Sequence, residues 1–276
     1  MGRISNTIGL AKVSWGVLRK DRELLVLPVL SFLVSIVVLA VLWVPTLISI
    51  DTSVLADETS QVPSIVPVVG VLSALALGVV SVFFTGALVA GAHERLTGGD
   101  PTVGSALGRA MSRLPGLVPW ALLTATVGLV LQALRERAGG LGRFVVGMIG
   151  MAWDVATFLV IPAIVIDDHG PVSGLKASAA HLKRTWGENI AARVGFGFLG
   201  LFAMLPVVAL LFIMGALGSA AFAVGIAISV VWVAAVMVVL SALGAVFQTA
   251  LYLYATTGTV PSGFEQSSLT ESFGAR

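Results

Sequence analysis

Asp154 is the residue in this chain whose chemistry most needs an explanation. It lies in the middle of an apolar run, Phe144 to Ile166, where a charge at the bilayer centre costs at least ~2.5–3.5 kcal/mol. Its neighbours form a pattern. Arg143, Gly147, Gly150, Asp154 and Thr157 recur at 4-3-4-3 spacing and so share one small, polar helical face. Trp120, Thr124, Gly128 and Gln132 repeat that face on the preceding apolar run. Folding the two runs into an antiparallel hairpin about Gly139 brings Asp154 level with Thr124, whose hydroxyl can hydrogen-bond a carboxyl group. Asp154, Thr124, Gln132 and Thr157 are therefore the candidate intramembrane polar site. A structural hydrogen bond is the favoured role, with proton or ion coupling as the alternative.

Other motifs point away from chemistry. Gly195-Phe196-Gly197-Phe198-Leu199-Gly200 has the spacing of a dinucleotide fingerprint, but that fingerprint works between a strand and a helix. Here it opens an apolar span, where glycines let helices approach closely, as Gly86 and Ala90 also would. His93, His169 and His181 lack metal-ligand spacing. A set of His169, His181, Asp167 and Asp168 could be drawn, yet acids in a turn before Pro171 read better as solvated or helix-capping groups. Asp100-Pro101 reads as a turn in the same way. No nucleophile elbow, phosphate-binding loop or HExxH motif occurs. With no cysteine, disulfides, thiolate metal sites and a cysteine nucleophile are all excluded. The expectation is a non-enzyme with no cofactor and no metal.

The elements that must position these residues are membrane helices. The chain is 57% hydrophobic and 11% charged, where a soluble domain carries roughly 25% charged residues. The net charge of +2 leaves a nucleic-acid partner without support. Crossing the hydrocarbon core takes about 20 apolar residues. Runs of that kind predict six transmembrane helices near 24–50, 65–92, 116–134, 144–166, 194–217 and 220–255, forming one integral membrane domain over 1–264. The last two come from one charge-free stretch split at Gly215-Ala216-Leu217-Gly218-Ser219, and a second turn near Ser241 to Gly244 would instead make three crossings. The first apolar run is too long for a signal peptide and is expected to persist in the mature protein. Residues 265–276 read as a short disordered cytoplasmic tail. Pro45, Pro67, Pro119, Pro162 and Pro206 fall within or near spans; the favoured reading is ordinary membrane-helix prolines, the alternative helix interruptions at a solute site.

Positive residues set the expected orientation. Thirteen Lys and Arg fall on the side of the N-terminus and three, Arg135, Arg137 and Arg143, on the other, so both termini are expected in the cytoplasm. Those three are read as snorkelling to headgroups. Three stretches outside the spans have helical apolar stripes: Ile4, Ile8, Ala11, Trp15 and Leu18; Val103, Leu107, Ala110 and Leu114; and Val172, Leu175, Ala179, Leu182 and Trp186. They predict three interfacial amphipathic helices, each before a helical hairpin, with Ser14-Trp15-Gly16 and Thr185-Trp186-Gly187 suggesting an internal repeat. Lys12, Arg19, Lys20, Lys176, Lys183 and Arg184 are the expected contacts to the anionic cytoplasmic leaflet.

The stretch from Phe158 to Ile166 around Pro162, followed by Gly170-Pro171, Lys176, Ser178 and Thr185-Trp186-Gly187, carries a resemblance, to which Ser14-Trp15-Gly16 and Leu27-Pro28 add. It resembles a domain-of-unknown-function family of prokaryotic six-span membrane proteins, distantly similar to the membrane domains fused to some glycerophosphodiester phosphodiesterases. The resemblance implies the six-span fold and a plasma-membrane location; it brings no activity and no catalytic residues. The sequence expectation is thus an all-α, non-enzymatic membrane protein acting in membrane organisation or as a lipid- or protein-interacting subunit, with an unidentified membrane-protein partner. The alternative is a small-solute or lipid transporter using the polar stripe around Asp154.

Overall fold

The computed structural model describes residues 14–16, 21–50, 63–184, 186–258, 261 and 264, with side chains described except at 22 and 181–199. Among the described residues there is no strand. One 3-10 turn, Arg22–Leu25, leads into α1 (Val26–Ser49). Then follow α2 (Ile65–Leu96), α3 (Val103–Ser112), α4 (Leu114–Arg137), α5 (Gly140–Ala156), α6 (Val160–Asp167), α7 (Pro171–Arg184), α8 (Trp186–Ala216) and α9 (Ser219–Thr257). Five stretches are long and apolar enough to cross a membrane, Glu23–Ser49, Ile65–Leu96, Leu114–Arg137, Gly140–Asp167 and Ser219–Thr257, and α8 contributes the shorter apolar helix Gly200–Ala216. The protein is a polytopic all-helical membrane protein.

The hairpin turns follow from local chemistry. Gly139, extended at φ −68° and ψ 179°, starts α5 where the hairpin was expected to turn. Gly218 takes φ 111°, a conformation open to glycine, and turns α8 back into α9. Because α9 then runs unbroken through Ser241 and Gly244, the charge-free stretch holds one turn and not two. Thr102 caps α3 through a reciprocal box with Ser105; of its predicted stripe Ala110 is buried and Val103, Leu107 and Leu114 are half-buried, with Ala106 buried beside them.

The third amphipathic stretch, α7, buries a different face from its predicted stripe. Gly174 and Ser178 are buried with Leu175 half-buried, whereas Val172 and Ala179 of the stripe are exposed. A Cβ on Gly174 would come 3.3 Å from Val160, so small residues let α7 lie closely along α6. Of the first amphipathic stretch, only 14–16 lie within the described residues; Lys12, Arg19, Lys20 and the tail 265–276 lie outside them, as do the side chains of Lys183 and Arg184.

Helix α2 is the central element, packed on α1, α3, α4, α6 and α9. The buried core gathers at one end of the bundle, joining Leu24 and Leu27 to Ala87–Ala90, Leu117, Ala121, Ile164, Val165 and Ala242–Ala245. Gly116 permits this convergence, since a Cβ there would come 2.7 Å from Ile164. Polar groups lace the same end together. Arg95 pairs with Asp21 and with Asp100 at 2.7 Å, Arg113 pairs with Asp168, and Tyr252 donates its hydroxyl to Asp167. Toward the opposite end the helices expose Val41, Ile48, Phe144, Phe212 and Val231, a surface suited to lipid.

Candidate functional site

The fourth apolar run is not one helix. It breaks at Thr157–Leu159 into α5 and α6, where Pro162 removes a helical donor. Proline has no N–H to offer the carbonyl four residues earlier, and its ring crowds that carbonyl; here that residue is Phe158. Pro45, Pro119 and Pro206 sit inside helices that continue through them, so Pro162 is the one of these four that coincides with an interruption.

Side chains from distant helices satisfy the broken backbone. Within the break, the Thr157, Phe158 and Val160 amides reach backbone carbonyls. The Leu159 N–H donates to Ser178 Oγ at 3.1 Å, and Ser178 Oγ donates to the Ala156 carbonyl at 2.7 Å. The Phe158 carbonyl freed by Pro162 accepts Gln248 Nε2 from α9. At its far end α6 is held as firmly: Arg109 of α3 donates to the carbonyls of Val165 (3.3 Å) and Ile166 (3.4 Å), and Asp168 takes a left-handed φ of 57° beside Arg113.

An open cavity of about 730 Å³ lies beside the break, between α2, α4, α5, α6 and α9, with Gln132, Asp154 and Ser241 exposed in its lining. Ser81, Thr85, Thr124, Gln132, Asp154, Thr157, Ser241 and Gln248 supply its polar lining, and Trp120, Phe158 and Ile161 part of its apolar wall. It joins an open groove of about 1060 Å³ between α4 and α5 through shared Thr124, Gly128, Gln132 and Asp154. The groove continues past Gly147 and Gly150 to Arg135, Glu136 and Arg143. Trp120 and Trp153 stack across the hairpin with centroids 6.2 Å apart.

The two polar stripes therefore do face one another, and all four expected site residues, Asp154, Thr124, Gln132 and Thr157, line the cavity. Thr157 spends its hydroxyl on the Trp153 carbonyl at 2.8 Å. Gln132 donates to Glu136 at 3.1 Å. Arg143 donates to the Ala138 carbonyl at 3.1 Å and lines the groove with Arg135. The glycines of these stripes make no close helix contact at two positions: a Cβ on Gly128 or Gly147 would meet nothing within 4 Å. They line open space. Gly86 does behave as expected, lying 3.0 Å from Leu117 by the same measure.

Gln248, Ser81 and Thr85 were not singled out from sequence, Ser178 entered only among the residues of the resemblance, and Ser241 only as a possible turn. Gln248 carried a readable signal as an amide inside a charge-free span, whereas Ser178 looked like a polar residue on a surface helix. Asp167 and Asp168, considered above as metal ligands, bind Tyr252 and Arg113, and no grouping suited to a metal ion occurs among the described residues. Lys176 is exposed on α7. The span 195–200 is continuous helix within α8, and a Cβ built on Gly200 would come 3.4 Å from Leu240, as at a packing glycine.

No curated protein matches this chain, and the distant likeness to domains of glycerophosphodiester phosphodiesterases gains no support from the family match. A family model does match residues 65–264, from the first residue of α2 through all of α9, which takes in every helix that lines the cavity. The chain belongs to the DUF6159 family, a family of unknown function.

Proposed function

We propose that this protein is a non-enzymatic membrane transporter whose substrate passes through the polar cavity beside the broken fourth span. The observation that carries the reading is the cavity itself: polar groups from four spans converge at membrane depth, next to a discontinuous helix whose freed backbone is held by Ser178 and Gln248. Interrupted helices of this kind are where membrane transporters place their substrates. The interacting-subunit reading leaves the cavity without a role.

The proposed setting is the plasma membrane, with the N-terminus and the charged end of the bundle facing the cytoplasm. The excess of Lys and Arg on that side supports this, including Arg95, Arg109 and Arg113 of the charged end. Exposed Lys176, with the other basic residues of the amphipathic segments, would contact anionic lipid there.

The absence of cysteine makes a direct test practical. Single Thr124→Cys and Ser241→Cys variants, reconstituted in vesicles, should react with a membrane-impermeant thiol reagent, whereas Leu123→Cys on the lipid-facing side of α4 should not. A transporter exposes its cavity to each side in turn, so the cavity positions should react from both faces. Reaction from one face only denotes a dead-end cavity and refutes transport.

A further inference from the structure

We infer that the groove between α4 and α5 takes the phosphate-bearing headgroup of a membrane phospholipid, which enters sideways from the bilayer and moves inward toward Asp154. The inference rests on the transport reading and names its substrate class. Only α4 and α5 line the groove. No other helix lines it among the described residues, so in a bilayer a polar floor made by Thr124, Gln132 and Asp154 would open toward hydrocarbon. Water-soluble solutes satisfy the floor and leave the opening poorly matched; acyl chains alone do the reverse. A phospholipid satisfies both at once, its headgroup in the groove and its chains outside.

The dimensions and the charge agree with that occupant. Gly128 and Gly147 leave the groove wide, because side chains at either position would enter its empty space and narrow it. The outer end carries Arg135 and Arg143 against the single carboxylate of Glu136. Arg135 Nη2 lies 3.8 Å from a Cβ built on Gly150, so its guanidinium reaches across the groove from α4 to α5. Guanidinium groups bind phosphate through paired hydrogen bonds. From Arg143 to Asp154 the groove runs about 16 Å at the rise of an α-helix, with the Arg135 guanidinium between them at the level of Gly150. Free inorganic phosphate would share the arginine chemistry, but only the lipid accounts for the lateral opening.

The test uses the full chain in phosphatidylcholine vesicles containing a minor share of phosphatidylglycerol and a trace of acyl-labelled fluorescent phosphatidylglycerol. An impermeant reductant quenches the label in the outer leaflet, and continued loss reports lipid crossing from the inner one. The wild-type protein should speed that loss well above protein-free vesicles. Arg135→Gln combined with Arg143→Gln should slow it about tenfold, as expected for lost charge-assisted bonds. Gly128→Leu and Gly147→Leu should abolish it by filling the groove, while Val130→Leu on the exposed side of α4 changes nothing; thermal melts confirm that each variant is folded. Lipid exchange no faster than in protein-free vesicles overturns the inference. If Thr124→Cys still reacts from both faces in that case, the transport reading stands and the lipid occupant alone falls. Uptake of radiolabelled inorganic phosphate without lipid exchange overturns the inference in favour of a free anion. Undiminished exchange in both glycine variants places lipid movement elsewhere and overturns it as well.

Discussion

Replacing Ser178 by alanine removes two hydrogen bonds from the break in the fourth span at one stroke. The Leu159 N–H loses its acceptor at 3.1 Å and the Ala156 carbonyl its donor at 2.7 Å, in a place where Ser178 is wholly buried and Leu159 is 0% exposed. A buried donor left without a partner costs about 1–3 kcal/mol, and an under-satisfied carbonyl adds less because it retains a second lone pair. The expected loss is about 2–3 kcal/mol, which for a chain of this size lowers Tm by roughly 4–10 °C. Thermal melts in one detergent, read by a solvent-sensitive thiol dye placed at a remote single cysteine, measure it. Ser173→Ala is the matched control: its hydroxyl bonds the Gly170 carbonyl at 3.0 Å in an exposed first turn, and its removal should stay within about 0.5 kcal/mol. A Ser178→Ala protein as stable as this control would refute the argument that α7 serves as the brace of the broken span.

Three further outcomes are expected. Gln248→Leu strips the donor from the Phe158 carbonyl; it should destabilise by about 1–3 kcal/mol, and the double variant Gln248→Leu with Pro162→Ala should recover much of the loss, because alanine at 162 can supply the helical N–H again, as comparison of the melts will show. Tyr252→Phe removes the hydroxyl donated to Asp167 without opening a void, so denaturant titration should show a cost of about 0.5–1.5 kcal/mol, and a larger loss would mean that Tyr252 does more than hold α6. Gly140→Cys and Ser112→Cys, both exposed and at opposite ends of the α4–α5 hairpin, should be labelled by an impermeant thiol reagent from opposite faces of the membrane; labelling from the same face would contradict the six-span topology.

Much of the architecture could be read before folding because it depends on one-dimensional properties. Charge-free runs longer than the hydrocarbon thickness must cross the bilayer, and Gly139 and Gly218 mark turns that any neighbouring residues would permit. The facing stripes of Thr124 and Asp154 were equally legible, since helical period assigns residues to a face without reference to other elements. Ser178 illustrates the opposite case. Its place in an amphipathic pattern suggested a surface helix, while its partners lie 19 and 22 residues away across a turn that no local rule fixes.

The division between the two kinds of information is clearest at proline and glycine. The sequence determined that Pro162 would leave the Phe158 carbonyl without its helical donor, as a matter of covalent structure. It also placed Gly128 and Gly147 on the faces that oppose one another. Only the tertiary structure decided that the span breaks at Pro162 while the helices around Pro45, Pro119 and Pro206 continue, with Gln248, ninety residues away, and Ser178 in place to bond the freed groups. Only it decided that Gly128 and Gly147 border a groove whereas Gly86 and Gly116 admit a neighbouring helix. A residue type sets which contacts a position can tolerate; whether another helix arrives to make them depends on the packing of the whole bundle, a property that no single segment of the chain contains.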